Sequence, residues 1–121
     1  MGIILYLISY ILKRLLFTFS ICYTVIKLIL KPKTLNKYFY QLAIGNDQMG
    51  NIACQYLFGD ALLRKHTFVY FGNPDETISS VLGKAKRCRS LNKSGQLLAN
   101  LLDAIDKNHV TKSIEEDEGY Y

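Results

Sequence analysis

Carboxylates, hydroxyls and one imidazole with the capacity for chemistry gather in three separated stretches of this 121-residue chain. Asp47 and Asn51 stand in the first, 46–51, and Asp75, Glu76, Thr77, Ser79 and Ser80 crowd the second, 72–86. Asp106, His109 and Glu118 belong to the third, 101–119. Hard oxygen donors with a histidine are divalent-cation chemistry, and Asp47, Asp75, Glu76, Asp103, Asp106, His109 and Glu118 would be the ligands if the stretches converged. A hydroxyl beside an imidazole is instead the chemistry of nucleophilic attack. Neither Ser79 nor Ser80 has a histidine near it along the chain, so only folding could bring His66 or His109 to them. No cofactor and no catalytic activity are assigned from these residues alone.

Each stretch also has a plain structural explanation. Asn73-Pro74-Asp75-Glu76 reads as a helix start, with Asn73 as N-cap, Pro74 at N1 and Glu76 reaching back to the cap amide. That helix should run through about Arg87, loosened at Gly83. Tyr38, Leu42, Met49, Ile52, Ala53 and Tyr56 share one helical face, which places Asp47 and Asn51 on the opposite side. The pair reads as a solvated face, with a polar site as the alternative. Ser94 opens a last helix with the apolar stripe Leu97, Leu98, Leu101, Leu102 and Ile105, and Asp103 lies across from it. Asp106 and His109, three apart, meet at its C-terminal end, where a structural role suffices. Ser113 and Glu116 stand at capping-box spacing in the acidic tail.

The net charge of +5 is unevenly placed. Residues 1–46 hold six basic residues and no acid; residues 47–121 hold nine basic and ten acidic ones. The basic balance therefore belongs to the N-terminal arm and suits lipid head groups better than nucleic acid. Lys84, Lys86, Arg87, Arg89 and Lys93 form a local basic patch, read as a solvated face, with a membrane surface or nucleic acid as alternatives. No aromatic residue is interleaved there for base stacking.

Residues 2–30 are almost wholly apolar, with no proline and no internal glycine. As one helix they would extend roughly 45 Å, against a bilayer core of about 30 Å. A frame from about Leu15 to about Leu30 puts Lys13-Arg14 at one interface and Lys27 near the other. Ser9, Lys13, Ser20, Thr24, Lys27 and Lys31 make a narrow polar stripe, the pattern of self-association or of an in-plane helix. Lys31, Lys33 and Lys37 after the span favour a cytoplasmic C-terminal part. Cys22, Cys54 and Cys88 have neither zinc-ligand spacing nor an even count and read as free thiols.

The expected fold is mainly α: a membrane helix over 1–31, then a small helical domain over 32–121. Pro32 ends the arm, Lys33 to Asn36 connect, and three helices follow with an acidic tail. His66 to Phe71 is the one strand candidate, with an extended loop packed on the helices as the alternative; contact of Phe68, Tyr70 and Phe71 with the membrane is a further reading.

The pieces NDQMGN (46–51), GNPDETISSVLGKAK (72–86) and LLDAIDKNHVTKSIEEDEG (101–119) resemble a family of small proteins encoded by phages and prophages of Gram-negative bacteria. Its members show the motifs DQ-x-x-N, PDET-[IL]-S-S and LD-x-LD-x-x-H-x-x-x-SIE-x-DEG in that order. The insert LFGDALLRKHTFVYF and the long apolar arm depart from the family pattern. The resemblance implies a genomic setting and no mechanism. A helicase label carried by some relatives does not transfer, because Gly83-Lys84-Ala85 is no phosphate-binding loop. The expected role is a membrane-anchored accessory or interaction protein, single-pass in the inner membrane with its C-terminal part cytoplasmic. Its expected partners are the bilayer and, by self-association or contact, another phage or host protein. A metal-binding module or metal-dependent enzyme is the alternative, with nucleic-acid binding behind it.

Overall fold

The computed structural model describes residues 1–116. Among them are six helices and no β-strand. The chain divides into two compact units, Met1–Gln41 and one beginning at Leu42.

The first unit is dominated by α1, Gly2–Leu28, which buries none of its residues. It is long and apolar enough to cross a membrane. Two of its hydroxyls bond inside the helix: Ser9 Oγ donates to the Tyr6 carbonyl at 2.9 Å and Thr24 Oγ1 to that of Ser20 at 2.8 Å. Such back-bonding is how a hydroxyl is tolerated where water is scarce. Lys13 and Lys27 lie over the rings of Phe17 and Tyr23, with Nζ 5.3 and 5.9 Å from the centroids.

No connector follows Pro32. The second helix, α2, starts on it and runs Pro32–Ala53, because proline at N1 loses no helical hydrogen bond and has its φ already set. The division between the units falls inside α2.

The second unit adds α3 (Gln55–Leu62), α4 (Ile78–Arg87), α5 (Lys93–Ile105) and the single turn α6 (His109–Lys112). The fold is thus mainly α, with more and shorter helices than periodicity alone separates. Leu62, Leu63, Val69, Phe71, Val81, Leu82, Ala85, Leu91, Ala99 and Val110 form its core. Phe58 meets Phe71 edge-on, with centroids 5.5 Å apart.

Of the two expected alternatives for His66 to Phe71, the structure has the loop and not the strand; it is irregular, His66 has φ 61°, and the Val69 amide bonds Thr67 Oγ1. Its two ends differ, with Phe71 buried in the core and Phe68 80% exposed. The α5 stripe is also narrower than its leucines imply: Gly95 and Ala99 are buried and Leu98 and Leu102 partly so, while Leu97, Leu101 and Ile105 are exposed. The face is set by close packing of small residues, and Gly95 sits where a Cβ would fall 2.3 Å from the Leu62 carbonyl oxygen. Asn92, two residues before Ser94, caps α5 by accepting from the Gly95 amide at 2.9 Å.

The start of α4 is also corrected: the helix begins at Ile78 and not at Pro74. Asn73-Pro74-Asp75-Glu76 forms a turn, closed by Glu76 N–H donating to the Asn73 carbonyl at 3.2 Å and Asp75 N–H to Asn73 Oδ1 at 3.1 Å. Asparagine before proline and aspartate favours that turn as strongly as it favours a helix cap. Thr77 is the cap, its hydroxyl accepting from Ser80 N–H at 3.1 Å. At the other end Arg89 takes a left-handed φ of 54°, and the Ser90 and Arg89 amides donate back to the Ala85 and Lys86 carbonyls. This is a Schellman ending with arginine where glycine is usual.

Candidate polar site around the first turn of α4

Residues 76 to 80 send side chains into two adjoining polar clusters. The inner one is built on Glu76, Ser80 and Lys84, spaced by four and so stacked along one side of the chain. Lys84 Nζ lies 2.7 Å from Glu76 Oε1, and both side chains are 0% exposed. Ser80 Oγ donates to the same oxygen at 2.6 Å and accepts from the Glu115 amide at 3.0 Å. The Glu115 carboxylate in turn accepts from the Thr77 hydroxyl and amide at 3.2 and 3.4 Å. Glu76 Oε2 is buried with no hydrogen-bond partner among the described residues.

The turn before α4 is held by Asn51, which is 0% exposed. Its Nδ2 donates to the carbonyls of Asn73 and Glu76 at 3.1 and 2.7 Å, and its Oδ1 accepts from Gly72 N–H at 2.9 Å. The solvated-face reading of Asp47 and Asn51 is therefore corrected. Asn51 faces inward, Asp47 is half-buried, and Met49, Ile52 and Tyr56 on the apolar face are exposed. The reason is a demand for partners: an irregular 72–76 backbone cannot be buried without donors and acceptors, and an asparagine side chain supplies both.

The outer cluster joins three helices. Ser79 Oγ donates to Asp47 Oδ2 at 3.1 Å and lies 3.2 Å from His109 Nε2. His109 Nδ1 is 3.2 Å from Asp106 Oδ2. The Asp106–His109 pairing expected from their spacing is present, across the turn between α5 and α6 rather than on one helix. Asn108, at φ 60°, makes that turn, and Asp103 caps α6 by accepting from Val110 N–H at 3.0 Å.

Electrostatics follow the same contacts. The hydrogen bond from Lys86 holds the Asp103 carboxyl below its ordinary 3.8. That from His109, helped by the Lys112 charge, lowers Asp106, and Arg87 lowers Glu116. A lowered carboxylate contributes stability that is present above its unfolded value and lost as pH falls through its folded one. In a carbonyl-detected NMR titration Asp103 should therefore titrate below 3.8, and Lys86→Ala should move its midpoint upward. An unchanged midpoint would show the Lys86 contact to be absent in solution.

Of the predicted site residues, Asp47, Ser79, Asp106 and His109 come together, and Glu76, Thr77 and Ser80 form the adjoining group. Asp75 contributes its carbonyl, which accepts from Gln48 Nε2 at 3.1 Å. Glu118 lies outside the described residues. Among the described residues no three His, Cys, Asp or Glu side chains group as around one metal ion. His66 lines a separate groove of about 380 Å³ with Gln55, Arg64 and Tyr70.

The basic patch is not one surface. Lys84 is buried, Lys86 pairs with Asp103 at 2.6 Å, and Arg87 grips Glu116 through two bonds of 2.6 and 3.0 Å. Arg89 and Lys93 are exposed. Glu115 and the inward role of Lys84 were missed by the sequence reading; the 76, 80, 84 spacing carries the signal for Lys84, and no local pattern marks Glu115.

The chain matches no family model, no curated protein and no solved structure.

Proposed function

We propose that the chain is a single-pass protein of a bacterial inner membrane that holds its helical unit at the cytoplasmic face as an accessory module for a protein partner. The observation that carries this reading is α1: 27 residues with none buried, and large apolar side chains exposed along its length. A helix apolar on all but a narrow stripe is stable in lipid, whereas in water each such side chain forfeits about 1.5–3 kcal/mol of burial. The lysines that follow it support the cytoplasmic orientation. The resemblance of the three motifs to phage and prophage proteins supports the bacterial setting. Leu97, Leu101 and Ile105, exposed in a row along α5, support contact with another protein or a second copy.

Fractionation of cells producing the full chain tests the anchor. The protein should stay with membranes through high salt and alkaline carbonate and leave with detergent; recovery after salt alone would refute the span. Cys88, which is exposed and free, reports the side. A membrane-impermeant maleimide should reach it only after spheroplasts are lysed, and labelling of intact spheroplasts would refute the orientation.

A further inference from the structure

We propose that Ser79, His109 and Asp106 form a hydrolytic site for carboxylic esters with a small or flat acyl group. The contacts run in the order nucleophile, base, orienting acid: Ser79 Oγ to His109 Nε2 at 3.2 Å, then His109 Nδ1 to Asp106 Oδ2 at 3.2 Å. That order is what activation of a serine requires, whatever fold supplies it. Each member comes from a different element: Ser79 from the first turn of α4, Asp106 from the end of α5, His109 from the start of α6.

Two features bear on how an ester would sit at Ser79. Ser79 stands at the second position of α4, so the Ile78 and Ser79 amides have no carbonyl inside the helix to bond. The neighbouring first-turn donors are committed, Thr77 N–H to Glu115 and Ser80 N–H to the Thr77 hydroxyl. The Ile78 and Ser79 amides are thus the groups that would receive a developing oxyanion. Ser79 is 7% exposed while the His109 side chain is 37% exposed, so substrate enters along the imidazole edge and little room remains for a bulky acyl chain.

Asp47 sets the resting state. Ser79 has one hydroxyl proton and two acceptors within reach, Asp47 Oδ2 and His109 Nε2. With the proton directed to Asp47, the Ser79 Oγ lone pairs face His109 Nε2, and the ring does not draw the serine proton. With the ring neutral and its Nδ1–H on Asp106, Nε2 takes the Ser79 proton as Oγ bonds the ester carbonyl carbon. The bond from acyl carbon to alkoxy oxygen breaks, and the alcohol leaves with that proton. Water then gives a proton to Nε2 and its oxygen to the acyl carbon, Ser79 Oγ recovers the proton, and the carboxylic acid departs.

The test uses the full chain in detergent with a small alkyl fluorophosphonate and with p-nitrophenyl acetate. Mass spectrometry should find the phosphonyl adduct on Ser79, and His109→Asn should slow both reactions by about 100-fold or more, the usual scale of a general base. Absence of an adduct at Ser79, or ester hydrolysis unchanged in Ser79→Ala, would overturn the proposal. A second variant separates chemistry from folding. In Ser79→Cys, iodoacetamide at neutral pH should alkylate residue 79 at least about 10-fold faster than the free Cys88 of the same molecule, and His109→Asn should abolish the difference. Equal rates at 79 and 88, or a difference that survives His109→Asn, would show a merely structural serine.

Discussion

Lys84→Met should destabilise the helical unit by about 3–5 kcal/mol, because it leaves the fully buried Glu76 carboxylate without its counter-charge. A small domain holds only about 5–15 kcal/mol in total, so the loss is a large share of its stability. Glu76 has little recourse: one oxygen would keep only the Ser80 hydroxyl, and the other has no hydrogen-bond partner among the described residues. Hydrogen exchange of the α4 amides should report the change, with protection falling throughout the helix. The double variant Glu76→Met with Lys84→Met should cost less than the single one, since two buried methionines leave no charge to solvate. The Arg87–Glu116 pair makes the contrast. It is bidentate, but its side chains are 47% and 66% exposed, so solvent screens it and breaking it should cost far less than breaking the buried pair. Equal effects at Lys84 and Arg87 would mean that the Lys84 pair is hydrated in solution.

Gly83→Ala should destabilise by about 3 kcal/mol, although helix propensity alone favours the change by about 1 kcal/mol. A Cβ at this position would stand 2.1 Å from the Val110 carbonyl oxygen and 2.7 Å from Ile114 Cγ1. Backbone cannot yield as a side-chain tip can, so α6 must move away from α4. That movement also displaces His109, the first residue of α6, from Ser79. The sign of the effect decides between the two readings of this glycine. If Gly83→Ala instead stabilised the unit, Gly83 would do no more than loosen its helix.

The part of the fold that rests on local chemistry was legible in order. The apolar run of α1 and the Asp106–His109 spacing are local properties, visible in a few neighbouring residues; Pro32 marks a helix boundary just as locally, but the same residue that ends one helix also starts the next, so a connector was read where α2 begins. Where the same letters satisfy two local structures, sequence reasoning had no basis for choosing. Asn73-Pro74-Asp75-Glu76 suits a turn and a cap equally, and Asn51 selects the turn by bonding its backbone from another helix. The polar side of α2 faced the same ambiguity. Polarity favours solvent unless partners wait inside, and those partners lie 21 to 25 residues further on.

Read alone, the residues specify a mainly helical protein with an apolar arm long enough to cross a membrane, because periodicity and hydropathy act over one or two turns. Helix packing was needed to make Lys84 an interior charge rather than part of a surface patch. It was needed equally to bring Ser79 to His109, thirty residues away. Hydrogen bonds and ion pairs act over about 3 Å, and which groups come that close depends on how the helices pack, which no short window of sequence contains.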